Sequence, residues 1–489
     1  MAVSPINANH LLGTWQQDRA TDGGARALVS AVSFDAGRTW AQTLHPMSRC
    51  GGALPGSVGD GERVSDPWVD IGPDGTAYMM GLAFSGDSLN ANSVNQMVVS
   101  RSSDGGRNWG APVSLQRDGA QGFNDKNTLT ADPTDARFVY AVWDRLEPSG
   151  SGPTLLARSS NSGLSWEPTR VIYAPQVLAG VSQTGVSQTI GNRIVVLTDG
   201  AERGTLVNVF VQIDTSNAGS STTTLRAMRS TDKGLTWGAP VTIADHRAVG
   251  TRDPETGAAV RDGAIVPNVA SGPGGVLWAA WQDSRFSGGQ RDAIAVSRST
   301  DGGRSWSAPL AVNKDANVAA FIPTLYVRAD GMVGLLHYDL RSNTANTATL
   351  LADLWLLTSR DGLAWTETAV ARAFDLNFAP RVNAGLFVGD YQGLVASGNN
   401  FIPFAVLPSN NTANRTDVLA FRMDAIASGL QQAQSAGGAH RAREVTAAPV
   451  AGALSEAAVA QARSQTIQRA MEARIPGWRR MVRADPARP

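Results

Sequence analysis

Cysteine is nearly missing from this chain of 489 residues: Cys50 stands alone. That excludes an intrachain disulfide framework and any zinc site built on cysteines. It leaves the compartment open, because exported bacterial proteins also do without disulfides. Net charge is missing too. The 42 Lys and Arg balance 42 Asp and Glu, so no global field argues for nucleic acid or an anionic membrane as partner. No run approaches the ~18 apolar residues that span a bilayer. The opening "MAVSPINANHLLGTW" has neither a basic n-region nor an apolar h-region and reads as strand. The expectation is a cytoplasmic chain or a trimmed, secreted or periplasmic one. Lysine is scarce. Glycine and tryptophan are plentiful, at 51 and 13, and 42% of residues are hydrophobic. That composition suits a substantial core, many tight turns and large aromatic anchors.

An octapeptide recurs. It reads "SFDAGRTW" at Ser33, "SSDGGRNW" at Ser102, "SSNSGLSW" at Ser159, "STDKGLTW" at Ser230 and "STDGGRSW" at Ser299. A sixth copy, "TSRDGLAW" at Thr358, aligns with Arg360 at the Asp position. Successive spacings of 69, 57, 71, 69 and 59 residues mark a repeat array. Each copy reads as a hairpin tip. Asp or Asn closes a turn onto backbone N–H groups, Gly supplies the left-handed position, and Trp opens the returning strand with a large face to bury.

A second repeat precedes each tip, as in "LTADPTDARFVYAVWDR" (Leu129 to Arg145) and "VASGPGGVLWAAWQDSR" (Val269 to Arg285). It reads as strand, tight turn, strand. With the strands flanking the octapeptide this makes units of four, labelled A to D in chain order. Radial repetition of such units is an all-β fold, a β-propeller of four-stranded antiparallel blades. Seven A–B units favour seven blades, the last closed with help from a terminal strand; six is the alternative. The propeller is expected over residues 1–424, a linker over 425–452, and a basic helical C-terminal tail over 453–489. From His440 to Pro489 nine Arg face four Asp or Glu, which fits a helix docked on the rim or a free end.

On these octapeptides the chain resembles the Asp-box (BNR-repeat) β-propellers, most closely the sialidase superfamily, over roughly residues 1–424. In that family the box is structural and lies away from the active site. Strand direction says the same: A–B and C–D turns share one face, while B–C loops and the connections into A strands share the other. The chemistry is expected on that second face.

There the B strands end in Asp and Arg: Asp18–Arg19, Asp144–Arg145, Asp283 with Arg285, and Asp339 with Arg341. The connections add Asp66, Asp125 with Lys126, Arg261–Asp262 and Asp390–Tyr391. One reading makes each Asp–Arg pair a structural tie within its blade. The other lets several arginines converge on an anionic substrate through bidentate contacts. The resemblance implies three arginines on a substrate carboxylate, a Tyr nucleophile activated by a Glu, and an Asp acid/base. Carried onto this sequence, it nominates Tyr391, Asp390, Asp66 and Asp125 as catalytic, with Arg19, Arg145, Arg261, Arg285 and Arg341 binding substrate. The Phe/Tyr-Arg-Ile-Pro motif of active sialidases is absent from the propeller; "RIPGW" sits in the tail. No Glu neighbours Tyr391, and Glu62 and Glu202 are the loop glutamates on offer.

The functional expectation is a carbohydrate-active protein, a glycoside hydrolase on acidic (sialic or uronic acid-containing) glycans. The alternative is a non-catalytic propeller that binds a glycan or a protein, and a polysaccharide lyase comes third. A lyase needs a His or Tyr base. Of His10, His45, His246, His337 and His440, His246 falls in a loop while His10 and His337 fall in strands. No cofactor is expected. Ca²⁺ held by Asp66, Asp125, Asp262 and Asp390 is the metal option. The partner is a glycan, with no nucleic acid and no membrane span.

Overall fold

The alternating apolar stretches form strands, and Asp- or Gly-bearing turns fold each four in succession into an antiparallel sheet. The computed structural model describes residues 1–177, 185–423, 439–445, 450, 452–474 and 478. It falls into two units, Met1–Thr242 with Met471–Pro489, and Ile243–Ala470.

The first unit carries four antiparallel quartets of strands, each taken as one sheet, although the Ala25–Val64 pair links the first two into a continuous ladder of eight. They are Ala2–Ser4, Asn7–Arg19, Ala25–Ser33 and Ala41–His45; Arg63–Ile71, Ala77–Ser85, Val94–Ser102 and Val113–Asp118; Phe123–Ala131, Val139–Leu146, Thr154–Ser159 and Arg170–Tyr173; and Gly185–Val196, Leu206–Ser216, Ser221–Ser230 and Val241–Asp245. The second unit carries a fifth sheet (Asn268–Ser271, Leu277–Asp283, Ala293–Ser299, Leu310–Ala311) and a sixth (Ala320–Val327, Val333–Asp339, Leu351–Ser359, Ala364–Asp375). A seventh, of three strands among the described residues, is Gly393–Ser397, Asn400–Pro408 and Thr416–Ala420. Sheets of four antiparallel strands in this succession are those of a propeller-like fold.

Within each unit consecutive sheets stack face to face. One core lies between the first and second sheets, another between the second and third, and a third between the third and fourth. In the second unit, cores fill the fifth–sixth and sixth–seventh gaps. The octapeptide tryptophans are the wedges. Trp109 packs into the first–second core, Trp166 into the second–third, Trp237 into the third–fourth and Trp365 into the fifth–sixth. Each of these four therefore seals its own sheet against the one before it.

The tip chemistry matches its sequence. The Ser33 hydroxyl donates to Asp35 at 2.8 Å and accepts the Gly37 N–H at 2.8 Å, while Asp35 accepts the N–H groups of Arg38 and Thr39 at 3.0 and 2.9 Å. Two successive left-handed residues make the reversal, such as Ser162 and Gly163 at φ 59° and 75°. Glycine is required at the second for space as well. A β-carbon on Gly163 would stand 2.6 Å from the Tyr78 ring of the preceding sheet.

The sixth tip corrects the alignment. Asp361, not the residue at position 360, is the turn carboxylate: it accepts the Ser359 hydroxyl at 3.1 Å and the Leu363 and Ala364 N–H groups at 2.8 and 2.9 Å. This turn is one residue shorter and uses a single left-handed residue, Gly362, so Ser359 and Asp361 fall in register while Gly and Trp shift by one.

The tips lie beside the A–B turns. Ser162 N–H donates to Arg137 C=O at 2.8 Å, and Lys233 Nζ reaches Asp132 at 2.8 Å. Connections into the A strands therefore leave from the other end of each sheet.

Among the described residues, no strand after Thr416–Ala420 joins the seventh sheet. Ala439–Arg441, inside the stretch read as linker, adds to Ala364–Asp375 as a fifth strand of the sixth sheet. That twelve-residue edge offers an unpaired ladder, which the added strand covers. Residues 425–438, 446–449 and 451 of the expected linker lie outside the described residues. The tail forms an α-helix over Glu456–Arg474, with Ser455 accepting the Ala458 N–H at its start.

Candidate functional site

A left-handed bulge interrupts the A strands of the second, third, fourth and sixth sheets. Asp66–Pro67, Lys126–Asn127, Gly191–Asn192 and Ile322–Pro323 each place two residues opposite one. Asp66, Lys126 and Ile322 all have φ of 51°. Such a conformation costs a β-carbon-bearing residue ~1–2 kcal/mol. The bulge turns a side chain out of the sheet's alternation, a charged one at Asp66 and Lys126.

In the first unit two of these bulges meet. Asp66 accepts the Ser65 hydroxyl at 2.7 Å and the Lys126 N–H at 3.2 Å, its C=O accepts the Asn127 amide at 2.9 Å, and Lys126 Nζ stands 3.8 Å away. Asp125, next to Lys126, is also buried. Arg145 does not pair with its neighbour Asp144. Its guanidinium grips Asp118 through two 3.1 Å contacts and reaches Glu147 at 3.3 Å. Arg19 donates to the Ala20 C=O at 3.0 Å.

In the second unit, the connection into the fifth sheet pairs with the connection into the seventh. Val260–Arg261 runs parallel to Gly385–Phe387, with Arg261 opposite Phe387. This places the Arg261 guanidinium over the Phe387 ring, 4.7 Å from its centroid, and onto Asp390 in a fork of 3.0 and 2.7 Å. Gly263, at φ 61°, lets the chain pass so close that a β-carbon there would meet the Asp390 C=O at 2.8 Å. Tyr391 follows Asp390 in the chain. Sequence-nominated Arg261, Asp390 and Tyr391 thus share one corner.

Beside them lies a pair of carboxylates of which the sequence flagged only one. Asp262 and Asp292 are 5% and 1% exposed, and the single amide Nε2 of Gln282 donates to both, at 2.9 and 3.2 Å. The amide oxygen of Gln282 is fixed by the Ile322 N–H at 3.0 Å. A loop lies across the pair. The N–H groups of Val249 and Gly250 each donate to Asp292 at 2.9 Å, and that of Thr251 donates to Asp262 at 2.6 Å. Burial first, then the neighbouring Asp262 charge, push the Asp292 carboxyl up to about 8, and burial raises Asp262 as well. Burial and each other's charge thus favour the protonated form of the pair. Asp292 ends the B–C loop of the fifth sheet in "QRDAIAV", echoing "VRDGAIV" at Asp262. That echo is the one signal in the sequence that pointed to it.

The remaining nominated arginines are tied locally. Arg285 forks onto Asp283 at 2.9 and 2.7 Å, and Asp283 also accepts the Trp281 indole N–H at 2.8 Å. Arg341 takes Asp339 at 2.7 Å and Glu367 at 2.5 and 2.8 Å, and it lies 4.0 Å over the Trp355 ring, whose indole donates to Asp339 at 3.2 Å. These knots of carboxylate, indole and guanidinium finish the B strands of two sheets. His246 and His337 are buried, and burial pushes both down to about 4. Among the described residues, no three His, Cys, Asp or Glu side chains gather as a metal-binding group, and no helix is long and apolar enough to cross a membrane.

No family model matches the chain, and no curated protein does. Solved structures do resemble it. A Hadza microbial sialidase is 16% identical with a TM-score of 0.45, over 83% of this chain and 75% of that one. The intramolecular trans-sialidase from Ruminococcus gnavus is 12% identical with a TM-score of 0.43, over 81% of this chain and 97% of its own. An α-L-arabinofuranosidase from Fusarium graminearum is 14% identical with a TM-score of 0.45, over 74% of this chain and 94% of its own.

Proposed function

We propose that the chain is a carbohydrate-active Asp-box β-propeller of seven blades that hydrolyses acidic glycans at the corner built by Arg261, Asp262, Asp292, Asp390 and Tyr391. The observation that carries this reading is the amide-bridged pair Asp262–Asp292. A carboxyl that keeps its proton to about pH 8 is a general acid suited to a glycosidic oxygen, and its partner carboxylate is the group that recovers the proton. In this reading Arg261 recognises the acidic sugar. A substrate carboxylate has the same fork geometry as Asp390 and competes with it for the guanidinium. Tyr391 is the nucleophile that the resemblance to sialidases implies. Asp66 and Asp125 in the first unit are held in reserve as acid/base and its second.

Turnover of fluorogenic sialosides and uronic-acid oligosaccharides tests the reading, with Asp292→Asn, Tyr391→Phe and Asp66→Asn as controls. Activity abolished by Asp292→Asn and Tyr391→Phe supports it, and absence of turnover on every acidic glycan, also when the C-terminal helix Glu456–Arg474 is displaced by substitution, ends it. A second reading, a propeller that binds a glycan or a protein without catalysis, has its own support. Arg145, Arg285 and Arg341 are each already paired with carboxylates of their own unit. Saturable glycan binding with no hydrolysis is its signature.

A further inference from the structure

The carboxylate pair is sealed, and what seals it is layered. Nearest the pair is the loop Val249–Thr251, whose three N–H groups donate to Asp292 and Asp262. The C-terminal helix lies on the outer side of the same loop. Thr466 donates its hydroxyl to the Val249 C=O, and its methyl is 3.2 Å from where a β-carbon on Gly250 would stand. One turn earlier, Arg463 Nη2 donates to the His246 C=O at 2.8 Å. One turn earlier again, Val459 sits directly against Gly289 in the B–C loop that ends at Asp292. Val459, Arg463 and Thr466 are spaced to share one face of a helix. Gly288 and Gly289, both left-handed at φ 63° and 84°, remove the side chains that would hold that face away. The chain leading into the helix is fastened to the same loop, with Leu454 N–H on Gly288 C=O at 3.0 Å and the Gln290 amide on Gly452 C=O.

We propose that the helix, through residues 456–470, is an autoinhibitory strap: it presses the Val249–Thr251 loop onto the Asp262–Asp292 pair and must lift before a glycan reaches it. The inhibitory role rests on the function proposed above, but the strap itself does not. Three hydrogen-bonded layers, helix to loop to carboxylates, couple the seating of the helix to access at the pair. Lifting the helix removes the Thr466 and Arg463 contacts from the outer side of the loop and leaves it held from below alone. Closure costs the protein no catalytic side chain, since none of the strap's contacts uses Asp262 or Asp292 directly.

The test uses the full chain and amide hydrogen exchange. Val459→Asp puts a charge against Gly289 and peels the helix, while Thr466→Val keeps the shape and deletes one hydrogen bond to the loop. The strap predicts that Val459→Asp speeds exchange at Val249, Gly250 and Thr251 by tenfold or more, with a smaller increase in Thr466→Val. Exchange at these three amides that stays at the wild-type rate, while the helix's own amides become fast, overturns it. Glycan turnover that rises in the same variants supports inhibition. Faster loop exchange with no turnover in any variant leaves the strap standing and refutes the hydrolase reading instead.

Discussion

Replacing Asp292 by Asn isolates the buried proton. Burial, then the Asp262 charge, push the wild-type carboxyl up to about 8 from an ordinary 3.8, so between those limits the folded state is expected to bind a proton that the unfolded state has lost. A raised carboxyl pKa contributes stability that is whole below about pH 4 and drains away as pH climbs through about 8. The slope is at most about 1.4 kcal/mol per pH unit, and the full swing is of order 5 kcal/mol at the outside. Asparagine carries no proton to lose. Its Oδ1 replaces one acceptor, but its NH₂ must face a loop N–H, which costs about 1–3 kcal/mol. Asp292→Asn is thus expected to be less stable than wild type at pH 5, and the gap should close or reverse by pH 8.5. Urea midpoints of the two proteins at both pH values measure this. His45, His246 and His337, pushed down to about 4 by burial, run the other way. Their contribution is whole above about pH 6.5 and lost as pH falls through about 4, and it cancels between the two proteins. A gap of the same size at pH 5 and pH 8.5 would falsify the buried proton on Asp292.

Arg341→Ala strands Asp339 and Glu367 in the sheet and should cost about 3–5 kcal/mol in urea unfolding. Arg341→Lys should recover little of it, since an ammonium has no fork. Gly362→Ala drives a methyl onto the Trp278 ring at φ 77° and should cost more than Gly200→Ala, where φ is 70° and nothing lies within 4 Å. Thermal unfolding of the pair separates close packing, about 1–3 kcal/mol, from backbone strain. Asp104 is held down at about 2 by the Asn108 N–H foremost, then, against partial burial, by the Asn108 amide, the Ser102 hydroxyl and the Arg107 N–H. A depressed carboxylate stabilises above its unfolded pKa, so Asp104→Ala should lower the melting temperature at pH 7. The difference should vanish as pH falls toward 2.

Much of the fold was legible because its punctuation is local. Asp, Gly and Trp at fixed offsets dictate a tip, and the tips set the period, the strand grouping and the end of each sheet where they belong. The sixth copy misled because an ungapped pattern cannot see that the turn had lost one left-handed residue, which moves Gly362 and Trp365 but not Asp361. The site was harder to read. Arg261 and Asp390 were picked for their place at strand entrances, and the parallel pairing of Val260–Arg261 with Gly385–Phe387 brought them together. Asp292 escaped notice. Its importance comes from burial and from a Gln282 amide shared with Asp262, and neither leaves a mark at the level of residue type. Arg145 shows the converse: adjacency to Asp144 suggested a partner, but geometry delivered Asp118 from a different strand.

The tryptophan wedges have a consequence for how such a chain is assembled. Because Trp109, Trp166 and Trp237 each fill the gap in front of their own sheet, the packing module is offset from the covalent quartet of strands. A deletion that removes one whole quartet takes its own plug with it and the next sheet brings its Trp to the new interface, whereas a cut that parts a quartet from its tip leaves an indole-sized void upstream. Modules can therefore be duplicated or excised cleanly only if the junction falls behind a tip, where the outgoing sheet keeps its seal and the incoming one brings its own.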